Sequence, residues 1–369
     1  MRSVVLLSNF YKPLCPVRPW YWWVLWGGLS LLGGILACGD GPEQKGGSPI
    51  ADGSRLYVTR TGGFNVYDVG DEHRFLHGIE VDGTGYYRGL CADVNRAKLY
   101  LSSLKGEQLV CIDLFSERVD WRLQLGGGVD NPALVPGGQF IYMPREKAGD
   151  WLVVDLWQKK IIKSIKIPGR PHNTWPSRDG RHMYLSAREN PILYITDTST
   201  HQVVGQVGPF KSGRADGSGG IRPFTVSAAG LVYVNTDDLL GFEVGDLKSG
   251  KRLYRVEVEG FEPLRSNHDT FSHGIRIRPD QQELWVSNDQ GKYVHVFDLQ
   301  GARPKQVADI ALSRENGWIT FGLDGRYAYP SSGDVIDVHS KEIVAQIEPS
   351  ERLLEIKFSG GRPIKASKR

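Results

Sequence analysis

Seven short apolar runs, each ending on or beside an aromatic residue, recur along the chain: "RLYV", "KLYL", "FIYM", "HMYL", "LVYV", "ELWV" and "RYAY". Their anchor aromatics are Tyr57, Tyr100, Tyr142, Tyr184, Tyr233, Trp285 and Tyr329, and successive anchors lie 43, 42, 42, 49, 52 and 44 residues apart. An aspartate follows each anchor, at Asp68, Asp113, Asp155, Asp197, Asp246, Asp298 and Asp337, closing runs such as "LVCIDL" and "VHVFDL". A third apolar run, as in "KIIKSIKI" or "EIVAQI", ends each unit. A period in the forties with four short strands per unit predicts a β-propeller, and seven anchors predict seven blades. No stretch of 11 residues or more sustains a helical period.

The first anchor comes too early in the folded region to have a strand before it. The segment "RLLEIKFSGG", residues 352–361, has the missing pattern of an apolar strand followed by a glycine turn. It is expected to supply the inner strand of the blade begun by "RLYV", which closes the ring and leaves no exposed sheet edge. The recurring aspartates fall at strand-to-turn junctions, where a carboxylate can accept from the backbone of the turn.

Units reading "RLYVT" and "DGRHMYLS", with Asp-Xaa-Xaa-Ser/Thr turns such as "DTSTHQVV", resemble the YVTN-repeat, YncE-like propellers of bacteria over residues 54–361. The resemblance implies an all-β, seven-bladed propeller of four-stranded blades. It implies little about activity, because such propellers host binding proteins, lyases and redox proteins alike.

Twelve residues before each anchor lies the start of an inner strand, beside the central channel. The residues there are Arg88, Asp130, His172 and His273, and Arg222 in blade five, whose turn is one residue shorter. Blade seven offers Gly317 or Trp318 and the closing strand Leu353 or a neighbour. Charged and imidazole side chains are rare in a buried core, since an unpaired buried charge is strongly penalised. A polar ring at the funnel mouth is therefore expected. The two longest insertions of the repeat, before Arg222 and before His273, fall at the same end, and the second brings Arg265, His268 and Asp269 to the rim.

Four readings of that ring are open. The side chains can satisfy one another and trapped water, purely as structure. His172 and His273 with Asp130 or Asp269 could hold a divalent metal, although their spacing is no local metal motif. A histidine could act as general acid or base in a lyase or hydrolase while Arg88 and Arg222 clamp an anionic substrate; streptogramin-inactivating and pectin-fragment lyases are similar in fold. The ring could also bind an anionic small molecule or a partner protein without turnover, with Arg88, Asp130, Arg222, His268 and Asp269 as contacts. Trp121, in "RVDWRLQLGG", stands in a context reminiscent of quinone-dependent dehydrogenase propellers, but the regular tryptophan copies of those proteins are missing. No nucleotide-binding glycine loop, CxxC or GxSxG is present. His182, His295 and His339 are expected at surface or turn positions of outer strands.

The first 38 residues differ from the rest. Arg2, Lys12 and Arg18 are the only charges before Asp40, and the uncharged run "WYWWVLWGGLSLLGGILA" spans residues 20–37. This reads as a secretory signal ending at a lipobox-like "ILAC", with Cys38 the lipidation site. The alternatives are an uncleaved membrane anchor, since 18 apolar residues can just span a bilayer, and plain secretion. In every case the chain is expected outside the cytoplasm. Residues 39–53, rich in Gly and polar side chains, read as a tether to a propeller over 54–369. A net charge of +3 with no basic stripe argues against nucleic acid, and a monomer is expected. Cys91 and Cys111, in strand-like runs separated by a further strand, are expected to be buried free thiols.

Overall fold

In a computed structural model the described residues are 51–81, 85, 87–211, 219–264, 270–288, 290–350 and 352–367. The expected leader, Cys38 and most of the expected tether therefore lie outside them, as do Arg265, His268 and Asp269. The described residues form 29 strands and no helix. They assemble into seven antiparallel sheets, a seven-bladed all-β propeller.

Six sheets have four strands in simple chain order, over residues 87–124, 133–166, 171–207, 221–257, 275–311 and 319–346. The remaining blade joins residues 53–80 to the C-terminus. Its strand Gly53–Arg60 pairs antiparallel with Leu353–Ser359, with Tyr57 opposite Leu354, so the ring is closed by the expected segment. This blade carries a fifth strand the repeat did not foretell. Gly360 and Gly361, both at positive φ, turn the chain back, and Arg362–Ala366 pairs along the channel side of the closing strand. Positive φ is a conformation that glycine adopts without penalty.

The anchors mark the second strand of every blade because that strand is packed on both faces. Tyr57, Tyr142, Trp285 and Tyr329 are at most 1% exposed, each among the apolar clusters that separate neighbouring blades. Outer strands alternate with solvent, as in Arg118–Gln124. The aspartates cap the following turn as expected: Asp113 Oδ1 accepts from the amides of Phe115 and Ser116, and Asp155 Oδ1 from those of Trp157 and Gln158. Four residues after the aspartate, Glu117, Lys159, His201 and Lys341 take positive φ, which returns the chain into the outer strand through a bulge. Cys91 and Cys111 sit on the first and third strands of one blade and are buried and unlinked.

One expectation is corrected here. His295 is not at the surface: it is fully buried on the third strand of blade six. Its Nδ1 lies 2.6 Å from Asp309 Oδ1 and its ring packs edge-on to Phe261 at 4.6 Å. Third strands are sandwiched between blades, so a histidine there is inside unless it lies at a strand end.

Candidate functional site

The inner strands begin irregularly, and the irregularity places the ring. In blade two Tyr87 pairs with Ser103 and Gly89 with Ser102, leaving Arg88 as an extra residue. In blade four Pro171 pairs with Ala187 and Asn173 with Ser186, leaving His172 extra in the same way. In blade five the ladder breaks between Ile221 and Phe224, at Arg222. A bulge re-aims one side chain out of the alternation of its strand. This is how an ionisable residue can stand at the start of a buried strand without entering the core between blades.

Arg88 and His172 meet Asp130, His273 and Arg352, which stand just before the first strands of their own blades, at one level of the channel. Arg88 Nε donates to Asp130 Oδ1 at 3.1 Å. Arg352 Nη2 reaches the same oxygen at 3.5 Å, and its Nε donates to the Arg88 carbonyl. His172 Nε2 lies 3.4 Å from Asp130 Oδ2. The His172 and His273 rings are edge-on, 6.1 Å between centroids, and His273 Nδ1 donates to the Gly317 carbonyl at 2.7 Å. Arg222 pairs instead with Asp237, whose other oxygen accepts from the Gly220 amide. Asp130, His172, Arg222, His273 and Arg352 are all buried, whereas Arg88 is half-buried.

A second layer follows one residue further along. Asn131 Nδ2 donates to Asn173 Oδ1, and Asn173 Nδ2 donates to His172 Nδ1, both at 2.5 Å. With Nδ1 accepting, the His172 proton sits on Nε2, facing Asp130, and the ring is neutral. Burial is the main reason its pKa falls from 6.5 to about 3; Asp130 opposes the fall, and Arg188, Arg222 and Arg88 reinforce it. Burial by itself would raise the Asp130 carboxyl, but the Arg88 guanidinium, His172 and Arg352 outweigh it and hold it well below the usual carboxylate range. The ring is thus a carboxylate clamped by two guanidiniums, with a neutral imidazole on its second oxygen.

Inside the ring the channel opens. A cavity of about 270 Å³ is bounded by Asn131, Asn173, Trp175, Arg276, Trp318 and Leu354, among others. It abuts a larger one of about 620 Å³ that reaches Ser177, Arg178 and Asp179 at the opposite end of the inner strands. Trp175, Arg276, Ala366 and Ser367 border both. Arg276 lies at this waist, its guanidinium 4.2 Å above the Trp175 ring, and burial lowers its pKa to about 9, leaving it charged at neutral pH. At the ring end Arg352 stacks on Trp318 at 4.0 Å in the same manner.

The structure brings together Arg88, Asp130, His172 and His273 as the sequence suggested, and directs Arg222 to Asp237 at the same level. The shared metal site imagined for His172, His273 and Asp130 requires three converging donors. Asp130 is engaged by two arginines and His273 Nδ1 by a carbonyl, and among the described residues no group of three His, Cys, Asp or Glu side chains is gathered to hold an ion. Sequence reasoning missed Arg352, Asn131, Asn173, Arg276 and Asp237. The two asparagines were within reach, since each directly follows a ring residue and they stand 42 residues apart. Arg276 sits on the anchor's own rung, opposite Trp285, a position the repeat does not mark.

No protein-family model matches the chain, and no curated protein matches it. Among solved structures, a functionally unknown protein from Desulfotomaculum acetoxidans is similar at 12% identity and TM-score 0.64, over 81% of this chain and 98% of that one. The Kuenenia stuttgartiensis hydrazine synthase aligns at 14% identity and TM-score 0.46, over 72% of this chain and 96% of that one. At these identities the first likeness speaks to the fold alone.

Proposed function

We propose that this protein is a membrane-tethered, extracytoplasmic binding propeller that holds a small anionic molecule in its central channel. The observation that carries the reading is the pair of abutting cavities with Arg276 and Trp175 at their waist. A buried guanidinium against an indole face, in a largely apolar chamber, suits a carboxylate or similar anion attached to a flat apolar body. The ring of Asp130, Arg88, Arg352 and His172 is matched internally, so it supports the chamber's end wall rather than supplying the charge that meets the ligand.

Turnover with His172 as the general base of a lyase or hydrolase has less support. A general base needs a lone pair facing the substrate, whereas His172 Nδ1 accepts from Asn173 and Nε2–H faces Asp130. The signal-like leader and Cys38 support the tether; Cys38→Ala should release the protein from membrane fractions.

The binding reading is tested by thermal-shift titration with shape-matched pairs, an aromatic carboxylate and its amide, on wild type and Arg276→Met. Carboxylates should raise the melting temperature of the wild type, amides should not, and the difference should vanish in the variant. Equal responses to both members of each pair would overturn the reading.

A further inference from the structure

The ring is already closed by Leu353–Ser359, so the strand beyond it, Arg362–Ala366, is surplus to closure. It runs back along the channel side of the closing strand. Beyond its end Ser367 is buried and held at both backbone and side chain: its amide donates to the Glu355 carbonyl at 2.7 Å, and its Oγ accepts from the Glu355 amide at 2.9 Å. Ala366 and Ser367 border both cavities, and Lys365 borders the outer one. Side chains at this outer cavity include the cations Arg178, Arg276 and Lys365 against one carboxylate, Asp179. Glu355 is nearby, but it is buried and accepts from the Leu323 amide. On the same strand Pro363 is buried and Ala366 packs against the apolar cluster of the first blade, whereas Ile364 is 52% exposed, so the strand is anchored by its ladder, these two residues and Ser367.

We propose that this C-terminal strand is the specificity wall of the binding site: it narrows access to the inner chamber, and Lys365, with Arg178 and Arg276, selects an anionic group at the outer cavity. The proposal rests on the channel being the binding site, and it adds which face the ligand enters by and which segment screens it. A small ligand passing from the outer cavity to the inner one goes past Ala366 and Ser367. Lys365 is exposed at the wider end, where a cation raises the local concentration of anions without being buried.

The chain carries its own reporter. Cys91 lies on the inner strand that borders the inner chamber, its Sγ donating to the carbonyl of Pro132, another lining residue, whereas Cys111 is fully buried on the third strand and burial pushes its thiol up to about 12. The full-length protein would be treated with three thiol reagents: neutral N-ethylmaleimide, anionic 2-sulfonatoethyl methanethiosulfonate and cationic 2-(trimethylammonium)ethyl methanethiosulfonate. Mass spectrometry of the Cys91 peptide gives the rate of each. Removing residues 362–369 should speed all three at least about tenfold. Lys365→Glu, at an exposed position, should leave the maleimide rate unchanged and lower the anionic-to-cationic rate ratio by about tenfold, the effect of a two-charge reversal across partly solvated space. Circular dichroism and melting curves establish that both variants remain folded. Unchanged Cys91 rates in a folded truncation would overturn the wall, and an unchanged rate ratio in Lys365→Glu would overturn its charge selectivity. Failure of the carboxylate titration with these rate changes intact would count against the binding reading alone, so the two are separable.

Discussion

His172 offers a quantitative test of how the ring is protonated. A neutral imidazole whose pKa drops from 6.5 to about 3 on folding takes up its proton far more readily in the unfolded chain. As pH falls below 6.5 the unfolded state binds a proton that the folded state refuses, so stability declines with acidification until about pH 3. Full linkage of one proton is worth about 1.4 kcal/mol per pH unit. Integrated from pH 7.5 to 4.5, His172 should remove about 2.5 kcal/mol of stability. Asp130 adds nothing in that window, because its depressed carboxyl is ionised in both states above the normal carboxylate range; its own contribution is lost only at lower pH. Burial also lowers the pKa of His73, to about 4, and those of His201 and His295, but wild type and variant share these groups. Urea unfolding of wild type and His172→Gln at half-unit steps isolates the difference. The variant should lose about 2.5 kcal/mol less than the wild type over the window. Parallel curves would refute the reasoning, because they would mean that the folded ring keeps the proton and that His172 and Asp130 form a charged pair.

Three further outcomes follow from the same geometry. Asp130→Asn leaves Arg88 and Arg352 facing one another without their shared carboxylate and should destabilise by about 3–5 kcal/mol, read from urea unfolding at pH 7; Arg88→Met should have a smaller effect, since that side chain is half-buried. Gly274→Ala would set a β-carbon 2.6 Å from Ser287 Oγ and 2.9 Å from Trp318 Cα, so it should lower the melting temperature and disturb the His273–Trp318 contact, seen as a change in tryptophan emission. Deleting residues 351–369 removes the closing strand with buried Leu353, Leu354, Ile356 and Phe358, and at about 2 kcal/mol per side chain this rivals the whole net stability of a domain. A cooperative melt near the wild-type temperature would contradict the closure.

The parts of the molecule that could be foreseen are those governed by the repeat. The anchor aromatics, the capping aspartates and the closing strand all answer to constraints that recur seven times, so each blade corroborates the others. Arg88, Asp130, His172 and His273 were found because they share a spacing from their anchors. Arg352 was not singled out because the closing strand has no anchor downstream to count from, which leaves its ring position only as Leu353 or a neighbour; Leu353 itself is a core residue opposite Val58. Arg276 and the C-terminal strand escaped for a deeper reason: they break the repeat. Trp175 and Thr320, on the same rung of other blades, are an aromatic and a hydroxyl, so a guanidinium there matches no pattern until the channel is seen. A periodic scaffold makes its own elements legible and hides whatever departs from it. In this propeller the departures gather at the waist of the channel, where Arg276, Ala366 and Ser367 border both cavities. A ring built only to hold itself together would need no buried cation there and no surplus strand beside it.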